Sequence, residues 1–539
     1  MPRPRTFTAL LFCLLCAPVR PVLAADAEPA KPNILIILAD DMGYSDLGCY
    51  GSEIPTPNLD ALAASGLKFT QFYNTGRCCP TRASLLTGLY SHQTGVGLMD
   101  QDQGLPGYQG WLNDQCVTIA EVLKPAGYFT ALSGKWHVGQ KHGVTPWGRG
   151  FERSLNAPAG GFYYPEGNPR AELYLNGQKL ANDDPQLPKH WYTTDLWTTY
   201  GLKFIDEAIA AKKPFYLHLC YNAPHFPLQA PAEEIAKFRG KYKEGWDKLR
   251  LTRHAKELEL KLLDPAWPLA PRAKAISEWD GLSEEEKDRF DYLMAVYAAV
   301  VSHMDRDIGE LVAGLKERGV LDNTLILFMS DNGGNAESGP KGKNVGDPSQ
   351  GSSHWFCGQS WASLENTPFR FYKHFNHEGG ISTPLIVHWP AGFAAKGELR
   401  SQVGHVIDIM PTCVEVAKAS YPQEFNGKPI LPMEGRSLVP AFANQPVARE
   451  ALFWEHEGHA AVRVGDHKLV RSARNAPWEL YDVAKDRTEL HDLAAEKPAE
   501  AKELIAKWQD WAVRAHVKPF PKGPKAATEE GGAAAKKEE

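Results

Sequence analysis

The chain of 539 residues is 43% hydrophobic and 10% aromatic, enough apolar material for a large core and for more than one simple domain. Its 59 Lys plus Arg stand against 65 Asp plus Glu, a formal charge of -6. No global basic field therefore exists to attract nucleic acid, and any anion must be captured locally.

Arg3 and Arg5 precede an apolar stretch from Phe7 to Ala17, and Val22-Leu23-Ala24 supplies small residues for cleavage. This pattern predicts a secretory signal peptide over residues 1–24 and export to the periplasm or the extracellular space. No later stretch is apolar over the roughly 20 residues that a membrane helix requires, so no membrane span is expected. Of the nine cysteines, Cys49, Cys78, Cys79, Cys116, Cys220, Cys357 and Cys413 lie beyond the signal. Their wide, irregular spacing defines no disulfide scaffold, and the odd count leaves at least one to be explained otherwise.

The run Asn33 to Ala39 is apolar without alternation, as expected of a central parallel strand covered on both faces. The pattern recurs at Tyr128 to Ser133, Phe215 to Tyr221 and Thr324 to Ser330. Helical spacing lies between these runs, at Asn58 to Ala64, Thr118 to Lys124, Thr194 to Ala211 and Lys287 to Glu317. Alternating strands and helices predict an α/β domain over residues 33–440, with a large, mostly parallel mixed sheet flanked by helices. The charged stretch Lys237 to Glu285 reads as a surface insertion. Past Leu438 the pattern changes to short strands at Ala451 to Glu455, His459 to Val464 and Lys468 to Arg471, then a helix over Pro498 to His516. This predicts a smaller antiparallel α+β domain over 441–521. The Gly, Ala, Lys and Glu of 522–539 read as a disordered tail.

Chemically capable residues follow each long strand. Asp40-Asp41 and Asp331-Asn332 bring three carboxylates and an amide oxygen, a hard-oxygen set suited to calcium or magnesium rather than zinc. Either pair alone is an ordinary turn signal. Gly134-Lys135-Trp136-His137 and Asn222-Ala223-Pro224-His225 follow the other two strands. In an open parallel sheet, ligands bind beyond the carboxyl ends of the strands, so all four groups can meet at one edge around an anionic substrate.

The most specific signal is Cys78-Cys79-Pro80-Thr81-Arg82-Ala83-Ser84-Leu85-Leu86-Thr87-Gly88. Pro80 suits a first helical turn, which places Cys78 at an electropositive helix N-terminus with Arg82 one turn away. Cys-x-Pro-x-Arg followed by Thr-Gly resembles the signature of the type I, formylglycine-dependent sulfatases of the alkaline phosphatase superfamily. The resemblance spans Asn33 to about Pro440. It takes in Asp40-Asp41, Gly134-Lys135-Trp136-His137, Ala223-Pro224-His225, Ser330-Asp331-Asn332-Gly333-Gly334, and Lys373 ahead of Glu378-Gly379-Gly380. Gly95-Val96-Gly97-Leu98-Met99 and Phe371-Tyr372-Lys373-His374-Phe375 look most like bacterial arylsulfatases.

The resemblance implies an alkaline phosphatase-like fold and sulfate ester hydrolysis. It implies that a maturation enzyme oxidises Cys78 to Cα-formylglycine, and that Asp40, Asp41, Asp331, Asn332 and modified Cys78 bind calcium. In the family's usual account one hydroxyl of the hydrated aldehyde attacks sulfur, and the second later expels sulfate. By the same resemblance Arg82 and Lys135 stabilise the hydrate and sulfate. Lys135, His225 and Lys373 bind substrate, His137 is the base for collapse, and His225, with Lys373, protonates the leaving alkoxide. Asp331 could accept the nucleophile's proton. The implied substrates are aryl sulfates or sulfated glycans. His354, Trp355, Trp361 and Phe369 are candidates for lining the pocket or for the core. Two alternatives remain at this level: a formylglycine phosphonate monoesterase or phosphodiesterase, and a non-catalytic binder of sulfated glycans. The first is disfavoured by Asp331-Asn332-Gly333, because two-metal members commonly carry Asp-His-Gly.

Overall fold

The computed structural model describes residues 31–519 together with Met1, Pro2 and Pro4. The expected signal cleavage site and the tail after 522 lie outside the described residues. From Pro32 onward the described residues form one compact unit.

The principal sheet is built from β1 Asn33–Ala39, β2 Leu67–Tyr73, β3 Phe129–Lys135, β4 Arg153–Ala157, β5 Leu173–Leu175, β6 Gln178–Leu180, β7 Phe215–Cys220 and β8 Thr324–Ser330. A hairpin of β9 Lys343–Val345 and β10 His354–Phe356 stands apart, and β11 Ser382–His388, β12 Glu398–Arg400 and β13 Gly404–His405 complete the sheet. The spatial order is β12-β2-β11-β8-β1-β7-β3-β4-β5-β6, with β13 also on β2. The central strands β8, β1, β7, β3 and β4 run parallel, while β11 is antiparallel to both β8 and β2.

Alternation along β1 explains why its sequence is apolar throughout. Leu35 and Ile37 face one core, with α1 Pro57–Ser65, α4 Thr193–Ala210 and α7 Glu284–Glu317. Ile34, Ile36 and Leu38 face the other, with α2 Cys78–Thr87 and α3 Ile119–Leu123. A strand buried on both faces has no position for a polar side chain until it ends.

The expected surface insertion is corrected. α5 Ala232–Ala236 is short, but α6 Gly245–Glu259 is a well-formed helix carrying Trp246 into an aromatic cluster with Trp279 and Trp361. Its Arg253 is buried as an ion pair, meeting Asp46 at 2.7 Å and Glu53 at 2.8 Å. Trp355, Trp361 and Phe369 prove to be core residues, and only His354 of that candidate group is exposed.

A minor hairpin of β14 Glu424–Phe425 and β15 Lys428–Pro429 precedes the C-terminal sheet. That sheet orders β16 Leu452–His456, β17 His459–Val464, β18 His467–Arg471 and β19 Glu479–Asp482 as an antiparallel meander. The helix Pro498–Arg514 buries Leu504, Trp508 and Trp511 in the same core as Trp454 and Val462. Tyr73 and Ile381 of the principal unit join that core. A buried ion network ties the parts together: Glu378 meets Lys468 at 2.8 Å and Arg487 at 2.8 Å.

Candidate active site

The register places the ends of the central strands side by side, with Ala39 opposite Ser330, Leu38 opposite Cys220, and Gly134 opposite Cys220. β2 ends at the same edge and leads through Asn74 to Arg77 into α2, whose first residue is Cys78. The chain entering antiparallel β11 contributes Lys373. All ten residues expected at the site therefore converge, including Arg82, His137 and His225.

Arg82 projects from α2 one turn beyond Cys78 and is fully buried. Its Nε and Nη2 stand 3.0 and 2.8 Å from Asp331 Oδ2, its Nη2 is 3.5 Å from Asp40, and its Nη1 donates to the Lys135 carbonyl. Lys135 Nζ reaches Asp40 Oδ2 at 2.7 Å. Lys373 Nζ lies 2.8 Å from Asp41 Oδ1 and 2.9 Å from Oδ2. His225 Nε2 is 3.6 Å from Asp41 Oδ2, and His137 Nδ1 is 3.6 Å from Cys78 Sγ. Asp41 and His137 both have positive φ, at 65° and 57°, which turns the chain sharply where each strand gives way to the site.

These carboxylates are packed beyond what their protein partners satisfy. Asp40 Oδ1 and Asn332 Oδ1 are buried without a hydrogen-bond partner among the described residues. Burial and the neighbouring Asp40 push the Asp331 carboxyl well above its usual range. Burial also raises Asp40, but Lys135, His225 and Arg82 outweigh it and hold the carboxyl down at about 2. Asp40, Asp41 and His225 are one of the groupings able to hold a metal ion. Unsatisfied oxygens from Asp40 and Asn332 beside Asp41 and Asp331 fit a hard divalent cation.

The Cys78 thiol is held well below its usual range by a hydrogen bond from Cys79, against burial, with Lys135 and His137 adding to the effect. Burial and Lys135 keep His137 below the ordinary histidine range. Among the described residues all seven cysteines are free thiols.

Several contributors carry no motif of their own. Asn335 donates to Asp41 Oδ2 at 2.6 Å, and Asn332 donates to Oδ1 at 2.7 Å. Glu337 lies 3.5 Å from Lys373. Phe226 stacks between His225 and Phe356, with Lys373 Nζ 5.4 Å from its ring centroid. Asn335 and Glu337 follow the Asp331-Asn332 pair within six residues, and that proximity was the only available sequence signal.

A carboxylate cage at the carboxyl edge of a mixed α/β sheet, flanked by the cations Arg82, Lys135 and Lys373, by two histidines and by a helix-terminal thiol, defines an anion hydrolase of the alkaline phosphatase superfamily. The sulfatase family model matches residues 32–419, and the C-terminal model of N-sulphoglucosamine sulphohydrolase matches 369–511. The chain belongs to the sulfatase family and is a sulfatase enzyme. It is 36% identical to a sulfatase of Schizosaccharomyces pombe, covering 89% of this chain and 93% of the relative. It is 35% identical to the arylsulfatase of Klebsiella aerogenes, covering 79% and 95%. Among solved structures, Ps i-CgsB in complex with k-i-k-neocarrahexaose superposes with a TM-score of 0.67 at 27% identity, covering 91% of this chain and 98% of that one. The phosphonate monoester hydrolase of Agrobacterium radiobacter shares the fold, with a TM-score of 0.58 at 19% identity and coverage of 92% and 100%. No described helix is long and apolar enough to cross a membrane.

Proposed function

We propose that the protein is an exported, calcium-dependent sulfatase that hydrolyses sulfate monoesters of glycans or aryl alcohols through a formylglycine made from Cys78. The observation carrying this reading is the coincidence of two unsatisfied oxygens, on Asp40 and Asn332, with the buried Arg82 and the helix-terminal Cys78. Asp40, Asp41, Asp331 and Asn332 would hold calcium, with modified Cys78 beside them. The ion supplies Lewis acidity toward a sulfuryl oxygen and the nucleophile, and hydrated formylglycine supplies one hydroxyl to attack and a second to expel sulfate.

The remaining work falls to the chain's own side chains. Arg82, Lys135 and Lys373 present fixed positive charge in a dry site, where it favours the extra charge developing on the sulfuryl oxygens. Arg82 is anchored on Asp331, so its guanidinium needs no reorganisation as that charge grows. Asp331 is the base poised to take the nucleophile's proton. His137, held below the ordinary histidine range by burial and Lys135 and 3.6 Å from Cys78 Sγ, is placed to take the second proton at that residue. His225 stands across the site, its side chain 12% exposed, where a leaving oxygen can receive a proton on its way to solvent.

The glycan reading draws on the carrageenan-type oligosaccharide named for Ps i-CgsB and on N-acetylgalactosamine-6-sulfatases, the human one 26% identical over 85% of this chain. The signal over residues 1–24 supports export, and oxidation of Cys78 requires a formylglycine-generating maturation enzyme. Intact-peptide mass spectrometry across Cys78, with turnover of nitrophenyl sulfate against nitrophenyl phosphate, tests the reading. An aldehyde at Cys78 and preference for sulfate are expected. An unmodified thiol with no turnover, or preference for phosphate, would overturn it.

A further inference from the structure

At the rim of the site, where the β16–β17 turn meets the Lys373 segment, His374, His456 and Glu457 each place a ligand atom within 4.8 Å of the others. His456 is fully buried, and neither of its ring nitrogens has a hydrogen-bond partner among the described residues. An imidazole carries one donor and one acceptor, so a buried ring matched at neither is an unfilled demand for a ligand. His374 Nδ1 faces Glu457 Oε2 at 2.9 Å. Its other nitrogen, Nε2, donates to Glu337 Oε1 at 2.9 Å, while Arg77 Nη1, which can only donate, lies 2.5 Å from that nitrogen and pairs with the same Glu337 oxygen.

We infer that His374 Nδ1, His456 and the Glu457 carboxylate form a second metal site, for a zinc-type divalent cation, distinct from the carboxylate cage. Two imidazoles and one carboxylate are a zinc ligand set that leaves a fourth position open. They are softer than the all-oxygen cage, so the two sites select different ions. Glu337 accepts from the nitrogen of His374 opposite the metal, the outer-shell carboxylate that fixes a ligating ring's tautomer and orientation. Glu337 and Glu457 also offset the nearby Arg77 charge. Side chains of His374 and Glu457 are 17% and 16% exposed, so an ion can enter from solvent. Glu337 also lies 3.5 Å from Lys373 Nζ. None of the three ligands belongs to the machinery of the sulfatase reading, so this site stands or falls independently of it.

The test is zinc titration of the folded, calcium-saturated Cys78→Ala protein against a competing chromophoric chelator, with cobalt substitution as a second readout. One zinc per chain is expected beyond calcium, and cobalt should give visible d–d bands without thiolate charge transfer. His456→Gln and Glu457→Gln should each weaken zinc by at least tenfold, and Glu337→Gln by about tenfold, the range for an outer-shell carboxylate. The inference is overturned if the folded protein takes up no zinc or if both ligand variants bind it unchanged. It is also overturned by a thiolate band, which would locate the ion at Cys79 and His137, or by loss of zinc in His303→Gln alone. That last result would assign the ion to the separate Asp195, His303 and Asp307 group. Should a ligand variant fail to fold, the cobalt spectrum of the parent protein still decides between nitrogen–oxygen and sulfur ligation.

Discussion

Arg82 and Asp331 form a fully buried ion pair in which both Nε and Nη2 of the arginine converge on a single carboxylate oxygen, at 3.0 and 2.8 Å. The other Asp331 oxygen accepts, among the described residues, from the Asp41 backbone alone, at 3.4 Å. One residue thus anchors a cation while leaving an oxygen turned toward the cage.

Removing one member of such a pair strands the other. In protein stripped of divalent ions, Arg82→Met should cost about 3–5 kcal/mol of stability, whereas Arg82→Met with Asp331→Leu should recover much of that loss while remaining inactive. Urea midpoints of the two single variants and the double variant give the coupling. Additive losses would mean that the pair is not the unit the geometry indicates.

Calcium should stabilise the folded chain because Asp40 Oδ1 and Asn332 Oδ1 have no partner among the described residues to lose when an ion arrives. At a hundredfold excess over its Kd, a ligand specific to the folded state adds roughly 2.7 kcal/mol, enough to raise Tm measurably. Chelation should reverse that rise and abolish turnover, and calcium should restore both. Full activity and an unchanged Tm in demetallated protein would remove the cage from the mechanism.

The four strands that feed the site were legible because burial on both faces forbids alternation, so each run is apolar until its end, where the functional pairs begin. β2 was not legible, since Lys68, Thr70 and Gln71 interrupt its apolar pattern. β11 carries Pro384 at a register shift between Thr383 and Leu385, and proline argues against a strand in sequence. The α6 segment looked like surface because its charges are individually ordinary. Arg253 is buried only through Asp46 and Glu53, some 200 residues earlier in the chain. The Arg77, Glu337, His374 and Glu457 cluster is likewise a product of tertiary proximity, and no spacing rule announces it.

Stability should fall on the acid side through buried neutral histidines. Burial, with Arg82 adding to it, lowers the His218 pKa to about 3. The unfolded chain takes up a proton as the pH falls below 6.5 while the folded ring stays neutral, so this contribution is complete above 6.5 and gone by about pH 3. Each such histidine adds up to one proton, roughly 1.4 kcal/mol per pH unit, to the slope of unfolding free energy. His218→Gln, which keeps a polar group near the Tyr216 hydroxyl 3.3 Å away, should flatten the slope between pH 6 and 4 by about that amount. An identical slope in urea titrations would show that His218 charges within the fold.

His225→Ala should slow alkyl sulfates by about 10²–10⁴-fold, the span of general acid catalysis, and activated aryl sulfates by much less. The dependence of kcat/KM on leaving-group pKa should therefore steepen in the variant. Equal losses across the series would leave His225 as a binding residue only.

Cys78→Ser, with the serine left unoxidised, separates the aldehyde chemistry from the rest of the site. Its hydroxyl would stand at the same helix N-terminus, beside Lys135, His137 and the carboxylate cage, and nucleophilic attack on sulfur remains open to it. The product would be a serine sulfate ester, with no second hydroxyl on that carbon to drive sulfate out. The variant should therefore stall after at most one turnover. Mass spectrometry after incubation with substrate should find sulfate on the introduced serine, slowly formed and substoichiometric, and none on Cys78→Ala. The stall should persist at saturating calcium, since what is missing is a hydroxyl rather than a charge. Sustained turnover by the unoxidised serine protein at the parent rate would mean that water can attack the ester directly, and formylglycine would lose its role even though the chain remained a sulfatase.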